Sequence, residues 1–345
     1  MRDEPDVVLG LSVWPCAQQV ARFQRAGRYL PGSTAHPGKM LPALARHAIA
    51  AYTRPDDLVL DPMCGIGTTL VEAAHLGRMA IGIEYECRWA DLARDNLALA
   101  TDQGATGAGE VILGDARYAP ARLSRDLRGR CTLLLTSPPY ADSNHGTVTT
   151  RRDTGQPGIR KRDWRYGSDT TNLAYRSLPV LLDGFTDILT ACRPLLRPDA
   201  TVVITTRAFR RNHQLLDFPS LVLQAAQAAG LQPVQRCVAL LAGLRNGGLV
   251  TRASFFQQQN TAQSRRDGLP LSLIAHEDVA GSDQSVKGLV FRPEFRHGPH
   301  HQPPPRQGRR IPRAGPAARA PLPRARHRAT APARPHRPRP RSQTS

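Results

Sequence analysis

Between residues 57 and 259, short β-branched and aliphatic runs alternate with Ala/Leu-rich amphipathic stretches. Few architectures accept that alternation. Strands separated by helical patterns do not pair as hairpins; they form βα units around a parallel sheet with helices on both faces. The expected strands are 58–60, 80–83, 110–113, 132–136 and 201–205, and the expected helices are 69–76, 88–100, 178–196 and 219–229. Two further strand-like runs, 232–241 and 249–257, meet across Arg245-Asn246-Gly247-Gly248, whose Asn-Gly step suits a tight hairpin turn. The expected fold is α/β: a Rossmann-like sheet, mostly parallel, with a C-terminal antiparallel hairpin.

This body, 57–259, has flanks of different character. Residues 1–56 form an N-terminal segment with one helical stretch, 41–52, and residues 141–177 read as a polar, basic insertion loop. Residues 260–294 are weakly patterned. The Arg/Pro-rich tail, 295–345, has too little apolar surface to build a core and is expected to be disordered. The 47 Lys and Arg against 28 Asp and Glu give +19, but 13 Arg and no acid fall after Phe295. The body is therefore only mildly basic, which permits a nucleic-acid partner through phosphate attraction without specifying one. The basic residues are 44 Arg against 3 Lys, as a GC-rich coding sequence would also produce. Six cysteines without a CxxC suggest neither a zinc site nor a disulfide framework, and a lone His145 makes no metal site. Without an apolar run of membrane-spanning length, a soluble cytoplasmic protein is expected.

The first strand runs into Asp61-Pro62-Met63-Cys64-Gly65-Ile66-Gly67-Thr68-Thr69 and then a helix. Gly65 and Gly67 let backbone approach a nucleotide-like ligand at a helix N-terminus. The spacing is not GxGxxG, and no Gly-Lys-Ser/Thr follows, which disfavours dinucleotide and P-loop sites. The second strand ends at Glu84, placed to accept hydrogen bonds from ribose hydroxyls, and the third at Asp115, placed to receive an adenine amine. An adenosine-shaped ligand without phosphates fits this pair.

The Asp61–Thr69 sequence resembles motif I of S-adenosylmethionine-dependent amino-methyltransferases acting on nucleic acids. That resemblance implies S-adenosyl-L-methionine as cofactor, with Asp61, Pro62, Cys64, Gly65, Gly67, Thr68, Glu84 and Asp115 around it. It also implies that His36 and Lys39, in His36-Pro37-Gly38-Lys39, help hold the methionine end.

The fourth strand opens into Ser137-Pro138-Pro139-Tyr140. An exocyclic amine of a base is a poor nucleophile because its lone pair is delocalised into the ring. Ser137 and the carbonyl after Pro138 can accept its two N–H bonds and aim that lone pair. Pro138 and Pro139 stiffen the turn, and Tyr140 offers a stacking face to a flipped base. Ser-Pro-Pro-Tyr resembles DNA cytosine-N4 methyltransferases, whereas Asn-Pro-Pro-Tyr is typical of adenine-N6 and guanine-N2 enzymes. DNA is therefore favoured over RNA, with a tRNA or rRNA guanine-N2 enzyme as the alternative and a noncatalytic nucleic-acid binder third. A cytosine-C5 enzyme needs a cysteine nucleophile, and the only Pro-Cys, at Cys16, precedes the cofactor motif. For contacts to nucleic acid the candidates are Arg151, Arg152, Arg160, Lys161, Arg162, Trp164 and Arg165 in the loop, and Arg207, Arg210 and Arg211 after the fifth strand.

Overall fold

A computed structural model describes residues 11–123, 125–140, 147–150, 159–162, 165–211, 214–253, 255–277 and 289–293. Seven strands form the main sheet: β1 Leu58–Asp61, β2 Met79–Glu84, β3 Ala108–Leu113, β4 Cys131–Thr136, β5 Leu196–Ile204, β6 Leu231–Arg236 and β7 Leu289–Pro293. Their spatial order is β6-β7-β5-β4-β1-β2-β3. Strands β5, β4, β1, β2 and β3 pair in parallel, while β7 runs antiparallel between β5 and β6.

Side chains alternate across the sheet, so each central strand feeds two cores. Val59, Leu133, Leu135 and Val203 pack on one face with α1 Pro42–Tyr52, α2 Thr68–His75 and α3 Cys87–Asp102. Leu60, Leu134, Val202 and Ile204 pack on the other with α4 Leu178–Cys192 and α5 Phe218–Ala228. Burial on both faces explains why these strands read as continuous apolar runs rather than as an alternating pattern. The three-layer α/β class expected from the sequence is the observed one.

The end of the sheet differs in detail from the expectation. The Asn246-Gly247 turn forms, with φ of +49° and +77°, but it joins Ala242–Arg245 to Gly248–Thr251 in a separate two-stranded sheet. The run 232–241 divides between β6 and the short strand Val238–Leu240, and the end of 249–257 enters α6, Phe255–Arg266. The antiparallel partner of β5 comes instead from β7, within the weakly patterned 260–294. Local turn chemistry set the hairpin, whereas hydrogen-bonding room beside β5 set which strand entered the sheet. The insertion also carries an antiparallel pair, Thr147–Thr150 with Ile159–Arg162. The tail lies outside the described residues.

The N-terminal segment is tied to the sheet domain by buried polar bonds. Glu72 of α2 is 1% exposed and accepts two bonds from Arg28 at 2.8 Å and one from Tyr29 Oη at 2.7 Å. Asn96 of α3, fully buried, accepts from the Leu30 backbone and donates to the Ile66 carbonyl at 2.9 Å. Removing one member of a buried pair strands the others. Glu72→Ala is therefore expected to destabilise the protein by about 3 kcal/mol; a urea unfolding shift equivalent to under about 0.5 kcal/mol, the usual range of a surface substitution, would refute this anchor.

Candidate active site

The strand order reverses between β1 and β4, and an open α/β sheet binds ligands outside the carboxyl ends of its strands at such a point. A cavity of about 280 Å³ lies there. Its lining includes the ends of β1, β2 and β4, the turns after β3 and β5, the 36–40 segment and residues 171–174.

Two buried carboxylates shape the glycine turn. Asp61 accepts from the Met63 backbone at 3.1 Å, Thr69 Oγ1 at 2.6 Å and Thr136 Oγ1 at 3.0 Å. It thereby joins β1, the first turn of α2 and the last residue before Ser137. Glu84 accepts from the backbone N–H of Gly65 at 2.8 Å and of Glu86 at 2.9 Å. Burial outweighs these bonds and pushes Asp61 up to about 6 and Glu84 up to about 7. Gly65 has φ of +53°, and a Cβ there would lie 2.9 Å from His36 Nε2. Gly67, at φ +79°, heads α2 against Ala93. The turn thus needs glycine at both positions for conformation as well as for space. Thr68 Oγ1, a buried hydroxyl on the cavity wall, finds no partner among the described residues.

His36 and Lys39 also line the cavity. The His36 ring stands edge-on to Trp89 and Tyr166 at 4.7 and 5.2 Å, and burial, followed by the charge of Lys39, lowers its pKa to about 3. It is a neutral wall. Lys39 Nζ donates to the Thr34 carbonyl at 3.0 Å and to the His36 carbonyl, and burial lowers it to about 8. Tyr166, an aromatic residue of the insertion, lies on this wall, with burial raising its phenol pKa. The chain beyond it is fastened down: Trp89 Nε1 donates to the Tyr166 carbonyl at 2.6 Å, Tyr85 Oη to Asp169 at 2.5 Å and Asn172 Nδ2 to Glu86 at 2.7 Å. The last part of the insertion is therefore a strap beside Glu84.

Asp115 is at the cavity, but Arg117 holds it through both carboxylate oxygens, at 2.6 to 3.1 Å. Burial raises its pKa and the Arg117 bonds outweigh that, leaving it lowered. Ser137, Pro138, Pro139 and Tyr140 all line the same cavity. The Tyr140 ring packs with Phe209 and Phe218 at 6.1 and 5.5 Å, and the Arg207 guanidinium stands 5.7 Å from its centroid. Tyr140 is thus held in an aromatic cluster, and burial raises its pKa. Glu277, from far along the chain, also reaches this cavity.

The cavity brings together His36, Lys39, Asp61, Pro62, Cys64, Gly65, Thr68, Glu84, Asp115, the Ser137–Tyr140 turn and Arg207. Gly67, Arg165 and Arg210 do not line it. Arg151, Arg152 and Trp164 lie outside the described residues, as do the side chains of Arg160, Lys161, Arg162 and Arg211. Sequence reading missed Thr136, Arg117, Asn172 and Glu277. Thr136 had a detectable signal, a hydroxyl at a strand end one residue before the catalytic turn. Arg117 acts locally, two residues from Asp115, whereas Asn172 and Glu277 are placed by long-range packing. Among the described residues no cluster suits a metal ion, and no helix is long and apolar enough to cross a membrane.

Residues 4–95 match the DNA methylase family. The matched span contains motif I and Glu84 but not Ser137. Over 111 residues the chain is 35% identical to the tRNA (guanine(10)-N2)-dimethyltransferase of Methanothermobacter thermautotrophicus, covering 31% of this chain and 30% of that protein. Over 66 residues it is 41% identical to the type II methyltransferase M.HinfI of Haemophilus influenzae, covering 19% and 18%. The chain thus aligns with less than a third of the length of either relative. Among solved structures, TrmN from Thermus thermophilus is similar at 20% identity and a TM-score of 0.40, covering 66% of this chain and 50% of that one.

The sheet is Rossmann-like, and S-adenosylmethionine is the cofactor that the DNA methylase match implies. The residues fit it: an unpartnered Thr68 hydroxyl, a glycine turn without Cβ atoms, and a Glu84 carboxylate with lone pairs left for a diol.

The raised pKa values set a pH dependence. The folded protein binds protons at Asp61 and Glu84 more tightly than the unfolded chain, so their stabilising contribution is complete below about pH 4 and is lost as pH rises through 6 and 7. Urea midpoints of the ligand-free protein at pH 5 and 7.5 measure this loss. Glu84→Gln should make it smaller, and an unchanged pH slope would place the loss elsewhere.

Proposed function

We propose that this chain transfers a methyl group from S-adenosylmethionine to the exocyclic amine of a nucleic-acid base, with cytosine N4 in DNA as the first reading. One observation carries the proposal: Asp61 binds both Thr69 of the cofactor turn and Thr136 beside Ser137, so the two motifs face one cavity at a fixed separation. When bound, the sulfonium cofactor supplies an activated methyl group and its own leaving group. The work left to the protein is alignment and exclusion of water.

In this reading Glu84 takes the ribose hydroxyls, and the turn from Pro62 to Thr68 lies along the cofactor. His36 and Tyr166 close its methionine end with neutral rings, with Lys39 nearby. Asp115, held by Arg117, keeps one side of its carboxylate for an adenine amine. Ser137 Oγ and the Pro138 carbonyl accept the target amine's N–H bonds and turn its lone pair toward the methyl group. Tyr140 stacks on the flipped base from its aromatic cluster, while Arg207, Arg210 and the basic insertion residues hold phosphates.

A second reading, guanine N2 in tRNA, draws support from the archaeal relatives at 35% identity. Ser137 in place of asparagine argues against it. Methyl transfer from radiolabelled cofactor to unmethylated DNA and to bulk tRNA, followed by nucleoside mass spectrometry, separates them: N4-methylcytosine supports the first reading, N2-methylguanosine the second, and no transfer to either rejects both.

Ser137→Ala is expected to lower single-turnover rate about 100-fold with cofactor Kd within twofold; parallel loss of both would remove Ser137 from the transfer step. Ribose hydroxyls favour an ionised partner, so cofactor affinity should rise with pH up to about 7, where Glu84 ionises. Calorimetric Kd from pH 5.5 to 8.5 tests this, and a flat profile would detach Glu84 from the ribose.

A further inference from the structure

The attacking amine must lose a proton, and the Ser-Pro-Pro-Tyr turn supplies nothing that can keep it. Ser137 Oγ and the Pro138 carbonyl are neutral acceptors, and Tyr140 and Tyr166 are protonated phenols. Lys39 is occupied with two backbone carbonyls. Four carboxylates line the cavity among the described residues: Asp61, Glu84, Asp115 and Glu277. The first three are committed. Asp61 accepts three bonds beneath the glycine turn, Glu84 holds two backbone amides, and Asp115 is paired with Arg117.

Glu277 differs in partners and in place. It is half-buried, and its side chain takes no hydrogen bond or ion pair among the described residues. It lines the cavity together with Ser137 and Tyr140, and its charge acts on the Tyr140 phenol and on Cys16. Backbone bonds hold it there. His276–Glu277 pairs with Val238–Leu240, with Glu277 opposite Ala239, and that strand pairs with Val13–Trp14. The Leu241 amide donates to the Ala275 carbonyl at 2.9 Å. Trp14, 2% exposed, anchors the small sheet against His47 at 4.5 Å.

We propose that Glu277 is a catalytic residue of the methyl transfer, accepting the proton released by the target amine. This rests on the methyltransferase reading above. As the nitrogen lone pair bonds the methyl carbon, the carbon–sulfur bond breaks and its electron pair leaves on sulfur. The N–H proton passes to the Glu277 carboxylate and then to solvent, restoring the neutral, methylated amine. A carboxylate on the N–H also favours the pyramidal nitrogen that attack requires.

The test compares the full-length protein with Glu277→Gln and Glu277→Asp on whichever nucleic acid the wild type methylates. Single-turnover rates and calorimetric cofactor Kd are the readouts. Glu277→Gln is expected to lower the rate about 100-fold and to leave cofactor Kd within twofold, with Glu277→Asp restoring part of the rate. A Glu277→Gln protein with wild-type rate overturns the assignment while leaving the methyltransferase reading in place. A matching loss of cofactor affinity also overturns it, by moving Glu277 to the cofactor end. Absence of transfer by the wild type overturns both together.

Discussion

The Asp61 carboxylate is the junction of this molecule. It sits 4% exposed at the end of β1 and binds the first turn of α2, the backbone of its own turn and the hydroxyl of Thr136. Each bond fixes a different chain segment relative to the others. A buried carboxylate is costly unless its lone pairs are satisfied, so three donors converge there and the distance between cofactor turn and catalytic turn becomes rigid. The proposed methyl transfer would draw on that rigidity, since the rate of such a step depends on alignment of donor and acceptor.

Around this junction the cavity divides by chemistry. Its lining holds Glu84 beneath the glycine turn and the neutral rings of His36 and Tyr166, together with Ser137, the Tyr140 cluster, Arg207 and Glu277. The strap after Tyr166 is secured to Tyr85, Glu86 and Trp89, so the end of the insertion belongs to the cofactor side although the insertion follows the catalytic turn in sequence. The N-terminal segment likewise enters the site, with His36 carried on a stretch anchored by Glu72 and Asn96.

Much of the scaffold was legible because its signals are local. Strand and helix positions followed from periodicity, and the observed elements differ from the expected ones mainly by extension at their ends. Asn246-Gly247 specified a turn with positive φ, and the turn is present. The places of Gly65, Glu84 and Ser137 on one cavity wall followed from their positions at strand ends, where an open α/β sheet leaves room for a ligand. The role of Tyr166 was not legible, since an aromatic in a basic loop suits base stacking as well as it suits a cavity wall. Nor was β7, because an edge strand of five residues has little pattern of its own and is selected by the room beside β5.

The sequence alone determined the α/β class, the strand-turn-helix that approaches a ligand, and the Ser-Pro-Pro-Tyr turn at a strand end, since backbone preference and side-chain period act over a few residues. Tertiary structure alone decided that Tyr140 is braced by Phe209 and Phe218, and that Glu277 enters a cavity built from residues at least 70 positions earlier. Those contacts depend on which surfaces remain for burial once the sheet has closed, and no local preference encodes that.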